Sequence, residues 1–166
     1  MRRLPLLCFA LLFAAATALI AWLPGRLPER VAVHFDAFGH PNGYATREGC
    51  RNFMILATLA PPALVVALSL LARLLPAALI NLPHREYWLA PERRAGTQAL
   101  LAEQGVWFAC LLLAFLAGMD AMLASANASL PPQFPNGPFT SAMALFAGAV
   151  AVWAIRSFLH FRRPPP

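Results

Sequence analysis

The sequence predicts an all-α membrane protein, a bundle of about four transmembrane helices with a short extracytoplasmic strand-and-turn loop. Its composition is the first reason: 60% of its 166 residues are hydrophobic and only 12% are charged, unlike a soluble domain. The second reason is a set of apolar runs long enough to cross a bilayer. The third is that arginines lie at the ends of those runs, as they do in proteins that span membranes.

The first two runs predict the first two transmembrane helices. Leu4 to Gly25 carries no charge, and at about 1.5 Å per residue it is long enough to cross a hydrocarbon core of about 30 Å. A cleaved signal peptide is the alternative, but this run exceeds the usual limit of about 15 apolar residues and has no small-residue cleavage motif. The second span runs from Asn52 to Ala72, and Pro61-Pro62 near its middle predicts a kink.

The segment after the second span is predicted to rest at the membrane interface. Leu74 to Leu82 is apolar but interrupted by proline. Tyr87 and Trp88 follow, and their amphipathic rings favour the headgroup level.

Two further helices complete the predicted bundle. The third begins at Pro91-Glu92, because proline suits the first helical position and a carboxylate favours the positive end of the helix dipole. It enters the membrane near Val106. The fourth span runs from Phe139 to about Ile155, after a proline-rich break.

Arginine asymmetry predicts the orientation. All 13 basic residues are arginines, and they mark the ends of spans instead of forming the basic footprint that nucleic acid would require. With both termini in the cytoplasm, the outer side holds the smaller set, Arg26, Arg30, Arg47 and Arg51. The inner side holds Arg2, Arg3, Arg73, Arg85, Arg93, Arg94, Arg156, Arg162 and Arg163.

The loop after the first span is predicted to be a strand followed by a turn. Val31, Val33 and Phe35 alternate with other residues, as in a short strand. Pro41-Asn42-Gly43 predicts the turn, because proline presets one dihedral angle and Asn-Gly accepts a positive φ.

Two interpretations apply to the polar residues of this loop. His34, Asp36 and His40 are residue types that bind transition metals, and three ligands can leave an open position. Alternatively, Asp36 caps the turn by accepting a backbone N–H bond two residues on. The spacing matches no established metal motif, so the turn interpretation is favoured and no metal or cofactor is predicted.

Glu103, Gln104 and Asp120 are polar residues of the third helix. Carboxylates inside a membrane are costly and often functional. Glu103 lies near the predicted inner entry and Asp120 near the outer exit, which favours solvation by water and headgroups for both. Asp120 would alternatively pair with Arg47 or Arg51.

The remaining chemistry-bearing residues point to no catalysis. Cys8, Cys50 and Cys110 lack metal-like spacing and predict free thiols instead of a disulfide framework. Asn127 begins an Asn-Ala-Ser glycosylation sequon, which arises often by chance. Neither a Ser-His-Asp arrangement nor a glycine-rich phosphate loop is present in the sequence, so we expect no enzymatic activity.

Two motifs carry a resemblance to a known family. The first is His34-Phe35-Asp36, then Gly39, Pro41 and Gly43, with Asn42 where aspartate is common; the second is Asn81 to Arg94. Together they resemble Domain of Unknown Function 1648 (DUF1648), the N-terminal part of SdpI-type bacterial immunity membrane proteins, over roughly Leu4 to Arg94. The candidate binding residues are therefore His34, Asp36, Gly39, His40, Asn42, Tyr87 and Trp88.

The resemblance implies a multi-pass protein of the bacterial inner membrane. Residues 1–95 would be the DUF1648-like region, and residues 96–166 would add two helices. The outer loop would meet a peptide, or the cytoplasmic face a protein partner, in a non-enzymatic binding, signalling or toxin-immunity role. The alternatives are a small transporter subunit and a metal-binding envelope protein. The lipid bilayer is the one definite partner that is predicted. The identity of any ligand and the oligomeric state are left open.

Overall fold

The computed structural model describes residues 3–162, and most of them lie in helices. Four helical stretches in this part of the chain are long and apolar enough to cross a membrane: Leu4–Arg26, Arg47–Leu74, Pro91–Ala126 and Asn136–Arg162. The predicted class of a helical membrane protein with four spans is therefore confirmed. Arg2 and Arg163 of the predicted inner arginine set lie outside the described residues.

The elements follow in chain order. The helices are α1 (Leu4–Trp22), α2 (Arg47–Met54), α3 (Ala60–Leu71), α4 (Arg85–Trp88), α5 (Pro91–Ala126) and α6 (Asn136–Arg162). The strands β1 (Arg30–Phe35) and β2 (Pro41–Thr46) form an antiparallel hairpin between α1 and α2. Short 3-10 turns cover Leu23–Arg26, Ala72–Leu74 and Ala77–Leu79.

The second span contains the irregularity that its prolines predict. A π-helical turn, Ile55–Leu59, joins α2 to α3, and Pro61 and Pro62 occupy the first turn of α3. Prolines have no N–H to donate one turn back, so the regular helical bonding pattern cannot pass through this point. The wider π turn before them places Thr58 towards the bundle interior, where its side chain is 2% exposed.

Helix α5 is the centre of the bundle, and α1, α3 and α6 all pack against it. Its fully buried residues Ala102, Val106, Ala109 and Leu113 recur every three or four positions, as in an apolar helix stripe. Close packing of α3 depends on Gly105, since a Cβ there would lie 2.0 Å from Ser69 Oγ.

Helix α6 lies at the edge of the bundle. It stacks on α5 through Phe108–Trp153 and Phe115–Phe146, with ring centroids 5.1 and 4.3 Å apart. Phe161, near its basal end, is its one buried residue. Most of the α6 surface is therefore available to lipid or to another chain.

The two ends of the bundle differ in structure. At one end, the hairpin contacts the connection between α5 and α6; we call residues 30–46 and 127–136 together the cap. At the other, basal end, Trp88 Nε1 donates to the Phe161 carbonyl at 3.0 Å, and Gln98 Nε2 donates to the Leu75 carbonyl at 2.8 Å. These bonds attach the segment after α3 to α5 and α6.

Candidate functional site

The hairpin turn lies earlier in the chain than the sequence predicts. Residues 36–40 make the turn, and Gly39 takes the positive φ of +85°. Pro41-Asn42-Gly43, the predicted turn, belongs instead to β2. The prediction is wrong because the residues from Asp36 to His40 already reverse the chain direction between β1 and β2. Gly43 instead allows β2 to approach His34. A Cβ on Gly43 would lie 2.8 Å from the Cβ of His34 on the opposite strand.

Asp36 organises the turn through its carboxylate. Its Oδ1 accepts hydrogen bonds from the N–H groups of Phe38 at 2.8 Å and His40 at 2.9 Å. The capping role predicted for Asp36 is thereby confirmed. The backbone bond from His40, followed by that from Phe38, lowers the pKa of Asp36 below its ordinary value of 3.8, although desolvation opposes the shift.

The three candidate metal ligands of this loop do not meet at one point. His34 Nδ1 contacts Asn42 Oδ1, whereas His40 Nδ1 lies 3.4 Å from Asp36 Oδ2. Across residues 3–162, no three His, Cys, Asp or Glu side chains are grouped as ligands of one metal ion would be. The turn geometry accounts for Asp36 without a metal.

Backbone carbonyls of the turn are bound by the α5–α6 connection. The carbonyl oxygens of residues 37, 38 and 39 accept bonds from Asn136 Nδ2 (3.1 Å), Gln133 Nε2 (2.9 Å) and the Phe134 N–H (2.9 Å), respectively. Gly39 permits this approach, because a Cβ there would lie 2.7 Å from Gln133 Nε2 and 2.8 Å from the Phe134 carbonyl oxygen. The turn is thus held in place by three consecutive bonds.

Asn127 attaches the start of the hairpin to the end of α5. Its Oδ1 accepts the Ala32 N–H at 2.8 Å, and its Nδ2 donates to the Ala32 carbonyl at 2.9 Å. The side chain therefore pairs with β1 as a neighbouring strand would. Asn127 is 7% exposed, and its amide is engaged in these bonds, so the sequon it begins is not presented for glycosylation in this fold.

A groove of about 460 Å³ lies between β1 and the α5–α6 connection. Three aromatic rings form its apolar part, with centroids 5.1 Å apart for Phe35–Phe134 and 5.4 Å for Phe134–Phe139. Its other lining residues are Val33, His34, Asp36, Ala37, Leu123, Asn136 and Thr140. The groove therefore combines an apolar wall with polar groups.

Two large apolar side chains project from the cap. Phe38, at the tip of the turn, is 76% exposed, and Leu130 is 95% exposed. The backbone carbonyl of Phe38 is bound to Gln133 and its N–H to Asp36. The ring is therefore presented to the surroundings from a fixed turn.

Asp120 forms a second polar site, within the bundle. Thr58 Oγ1 donates to Asp120 Oδ2 at 2.8 Å, and Asp120 is only 8% exposed. Solvation by headgroups and water is therefore the wrong interpretation of this carboxylate. Pairing with Arg47 or Arg51 is also wrong, because Arg47 Nε bonds the Pro28 carbonyl and Arg51 approaches Glu48 at 3.9 Å.

The other candidate residues lie away from the cap. Glu103 and Gln104 line a separate groove between α5 and α6. Tyr87 and Trp88 belong to α4 at the basal end, where the Trp88 ring packs edge-on against Phe161 with centroids 5.4 Å apart. The structure thus brings His34, Asp36, Gly39, His40 and Asn42 together in the cap and separates them from Tyr87 and Trp88.

Sequence reasoning missed Thr58, Gln133 and Asn136, and it gave Asn127 a different role. An asparagine at the end of a long helix is a recognised signal for a helix terminus. Nothing in sequence spacing would have paired Asn127 with Ala32, which lies 95 residues earlier.

Comparison with known proteins identifies one part of the chain. A family model described as "Domain of unknown function (DUF1648)" matches residues 11–58. The match covers most of α1, the whole hairpin and the second span as far as Thr58. No curated protein and no solved structure matches the chain.

Proposed function

We propose that this membrane protein, whose residues 11–58 form a Domain of unknown function (DUF1648), is a non-enzymatic peptide-binding protein of the bacterial inner membrane. In this proposal the cap faces outwards and binds a peptide, in a signalling or toxin-immunity role. The observation that carries the proposal is the groove of about 460 Å³ beside β1, whose wall is three packed phenylalanine rings.

The chemistry of the groove favours a peptide with an apolar side chain. Phe35 and Phe134 offer a contact surface for such a side chain, and aromatic residues are enriched at the centres of binding interfaces. Asn136 Nδ2 and Thr140 Oγ1 already donate within the chain, but Asn136 Oδ1 and Thr140 Oγ1 at the same groove can accept hydrogen bonds from a peptide backbone. Phe38 follows the lining residue Ala37 in sequence, and its exposed ring offers a second apolar contact.

Rigidity of the cap supports the same role. The turn is bound at three consecutive carbonyls by residues 133–136, and β1 is bound by Asn127. A surface ordered before binding pays less conformational entropy when a partner arrives.

The outward orientation of the cap rests on the arginine distribution and has a direct test. In a variant lacking the three native cysteines, single cysteines replace exposed Ala37 in the cap or exposed Ala95 at the basal end. A membrane-impermeant maleimide added to intact cells is expected to label position 37 and to leave position 95 unlabelled. Labelling of position 95 alone would show the opposite orientation, with the cap in the cytoplasm.

The binding role is tested by survival of bacteria. A strain lacking the gene is exposed to secreted peptide toxins and envelope stresses, with or without a plasmid carrying the wild-type gene. Loss of the gene is expected to raise sensitivity to at least one peptide, and Phe38→Ala is expected to restore less protection than wild type. Tyr44→Ala, which alters an exposed aromatic residue of β2 away from both the tip of the turn and the groove, serves as the control. Unchanged sensitivity to every agent would contradict the proposal.

Transport is a second candidate, favoured by the Thr58–Asp120 contact. A buried carboxylate in a transmembrane helix, facing an irregular turn of another span, is an arrangement that ion pathways use. Reconstituted vesicles would be assayed for proton or cation flux. Flux that Asp120→Asn abolishes would favour transport, and the absence of flux in the wild-type protein would exclude it for the ions tested.

A further inference from the structure

A second groove, of about 580 Å³, lies between α5 and α6 and is separate from the cap. Its basal end carries the polar residues Glu103, Arg156 and Ser157 beside Leu100. Towards the cap it becomes apolar, with Leu111 and Val152. The rise of about 1.5 Å per helical residue places Glu103 and Leu111 about 12 Å apart along α5.

This gradient matches an amphiphile with a charged head and a hydrocarbon tail. We propose that the α5–α6 groove binds one phospholipid whose headgroup carries both a phosphate and a primary ammonium. Arg156 binds the phosphate, Glu103 binds the ammonium, and an acyl chain lies along Leu111 and Val152.

Charge complementarity selects this headgroup. A guanidinium binds phosphate in a bidentate manner, and basic groups between transmembrane helices at the cytoplasmic side are known to hold lipid headgroups. The carboxylate of Glu103 lies at the same polar end. A carboxylate has about four acceptor positions, so it can receive an ammonium N–H in addition to its contact within the chain. A choline headgroup lacks such donors, and a glycerol headgroup lacks the cation.

Aromatic side chains place the polar end at headgroup depth. Trp107 and Trp153 both line the groove. The indole N–H of Trp153 donates to the backbone carbonyl of Gln104 at 3.0 Å. Tryptophan is enriched at the boundary between headgroups and acyl chains. The bond also holds the two helices together at the point where the groove turns from polar to apolar.

The apolar part of the groove is open because α6 is small there. Gly148 and Ala149 line it, and an added Cβ at Gly148 would meet no heavy atom within 4 Å. Gly148→Leu would therefore place an apolar side chain in the groove, and its Cβ would meet no heavy atom. Ala147 is exposed and is not part of the lining, so Ala147→Leu adds the same type of side chain outside the groove.

Photo-crosslinking of the full-length protein tests the proposal. The protein is reconstituted in phosphatidylcholine vesicles that contain a small fraction of phosphatidylethanolamine with a diazirine in one acyl chain. We expect labelled peptides from α5 and α6 around Trp107 and Val152. Gly148→Leu is expected to lower this labelling about tenfold, the effect of losing about 1.4 kcal/mol of binding free energy, while Ala147→Leu leaves it unchanged. Equal labelling of Gly148→Leu and wild type would overturn the proposal.

Competition with unlabelled lipids tests whether the groove recognises the headgroup or only the acyl chain. Excess unlabelled phosphatidylethanolamine is expected to displace the probe, whereas equal amounts of phosphatidylglycerol or additional phosphatidylcholine displace it at least several-fold less. Arg156→Ala and Glu103→Gln are each expected to reduce this preference. Equal displacement by all three lipids would overturn headgroup recognition, and a chemical crosslink between the grooves of two chains would show that a second copy occupies the site instead.

Discussion

The side-chain amide of Asn127 bonds both the backbone N–H and the backbone carbonyl of Ala32, at 2.8 and 2.9 Å, and so attaches the hairpin to the residue that follows α5. Ala32 is completely buried and Asn127 is 7% exposed, so water cannot replace these bonds. The pairing explains why Val31 and Ala32 are both buried, although alternation along a strand would expose one of them. The first loop therefore depends on a residue that lies beyond the third span.

Asn127→Ala is expected to destabilise the protein by about 1–3 kcal/mol, because it leaves the buried N–H and carbonyl of Ala32 without partners. Thermal unfolding in detergent, followed by tryptophan fluorescence, measures the change. The matched control is Asn42→Ala, which removes an exposed side-chain contact to His34 and is expected to change stability by at most about 0.5 kcal/mol. An equal effect of the two variants would contradict this account of the cap.

Gly39→Ala is expected to loosen the turn from the α5–α6 connection. Alanine at a φ of +85° is strained, and its Cβ would meet Gln133 Nε2 at 2.7 Å; such strain costs about 1–3 kcal/mol. Protease cleavage within residues 36–40 and 128–135 should become faster in detergent. Gly137→Ala, where an added Cβ meets nothing within 4 Å, should leave the cleavage rate unchanged. Slow cleavage of both variants would argue against the close approach.

Substitution by alanine at two glycines of α5 is expected to change the stability of the protein in opposite directions. At Gly105 the added Cβ would lie 2.0 Å from Ser69 Oγ, and overpacking of this kind costs about 1–3 kcal/mol. At Gly96 nothing lies within 4 Å, and alanine should stabilise the helix by about 0.5–1 kcal/mol. Thermal unfolding of both variants gives the comparison. Combining Gly105→Ala with Ser69→Gly should recover part of the loss.

The Asp36 turn is expected to weaken in acid. The backbone bonds from His40 and Phe38 lower the pKa of Asp36 in the folded protein below 3.8. The ionised form is therefore favoured by folding, so its contribution is fully present above pH 3.8 and is lost as the pH falls through the lower folded value. A carboxyl carbon NMR titration should give a midpoint below 3.8. A midpoint at or above that value would contradict the assignment, and Asp36→Asn should remove the transition.

Thr58 and Asp120 are expected to be energetically coupled. Thr58→Val removes the hydroxyl that donates to the buried carboxylate at 2.8 Å, at a cost of about 1–3 kcal/mol. A double-mutant cycle with Asp120→Asn should give an interaction energy of about 0.5–3 kcal/mol from unfolding in detergent. Thr17→Val, which removes an exposed hydroxyl bonded within its own helix, is the control for Thr58→Val. Additive effects of Thr58→Val and Asp120→Asn would contradict this coupling.

The sequence alone determined the membrane class, the four spans and the capping role of Asp36. These features are local, because length, hydropathy and a side chain bonded to the backbone two residues later can all be read along the chain. The position of Pro61-Pro62 likewise predicted an interruption in the second span, found as a π turn. The start of α5 at Pro91 followed from the same kind of local rule.

The position of the turn, the burial of Asp120 and the attachment of the cap result from contacts between distant parts of the chain. Pro41-Asn42-Gly43 is an acceptable turn sequence, but Gly43 is used to accommodate His34 from the opposite strand. Asp120 meets Thr58 across 62 residues, and Asn127 meets Ala32 across 95 residues. Such pairs depend on how α5 packs against α1 and α3, and no local periodicity encodes the distance between residues on different helices.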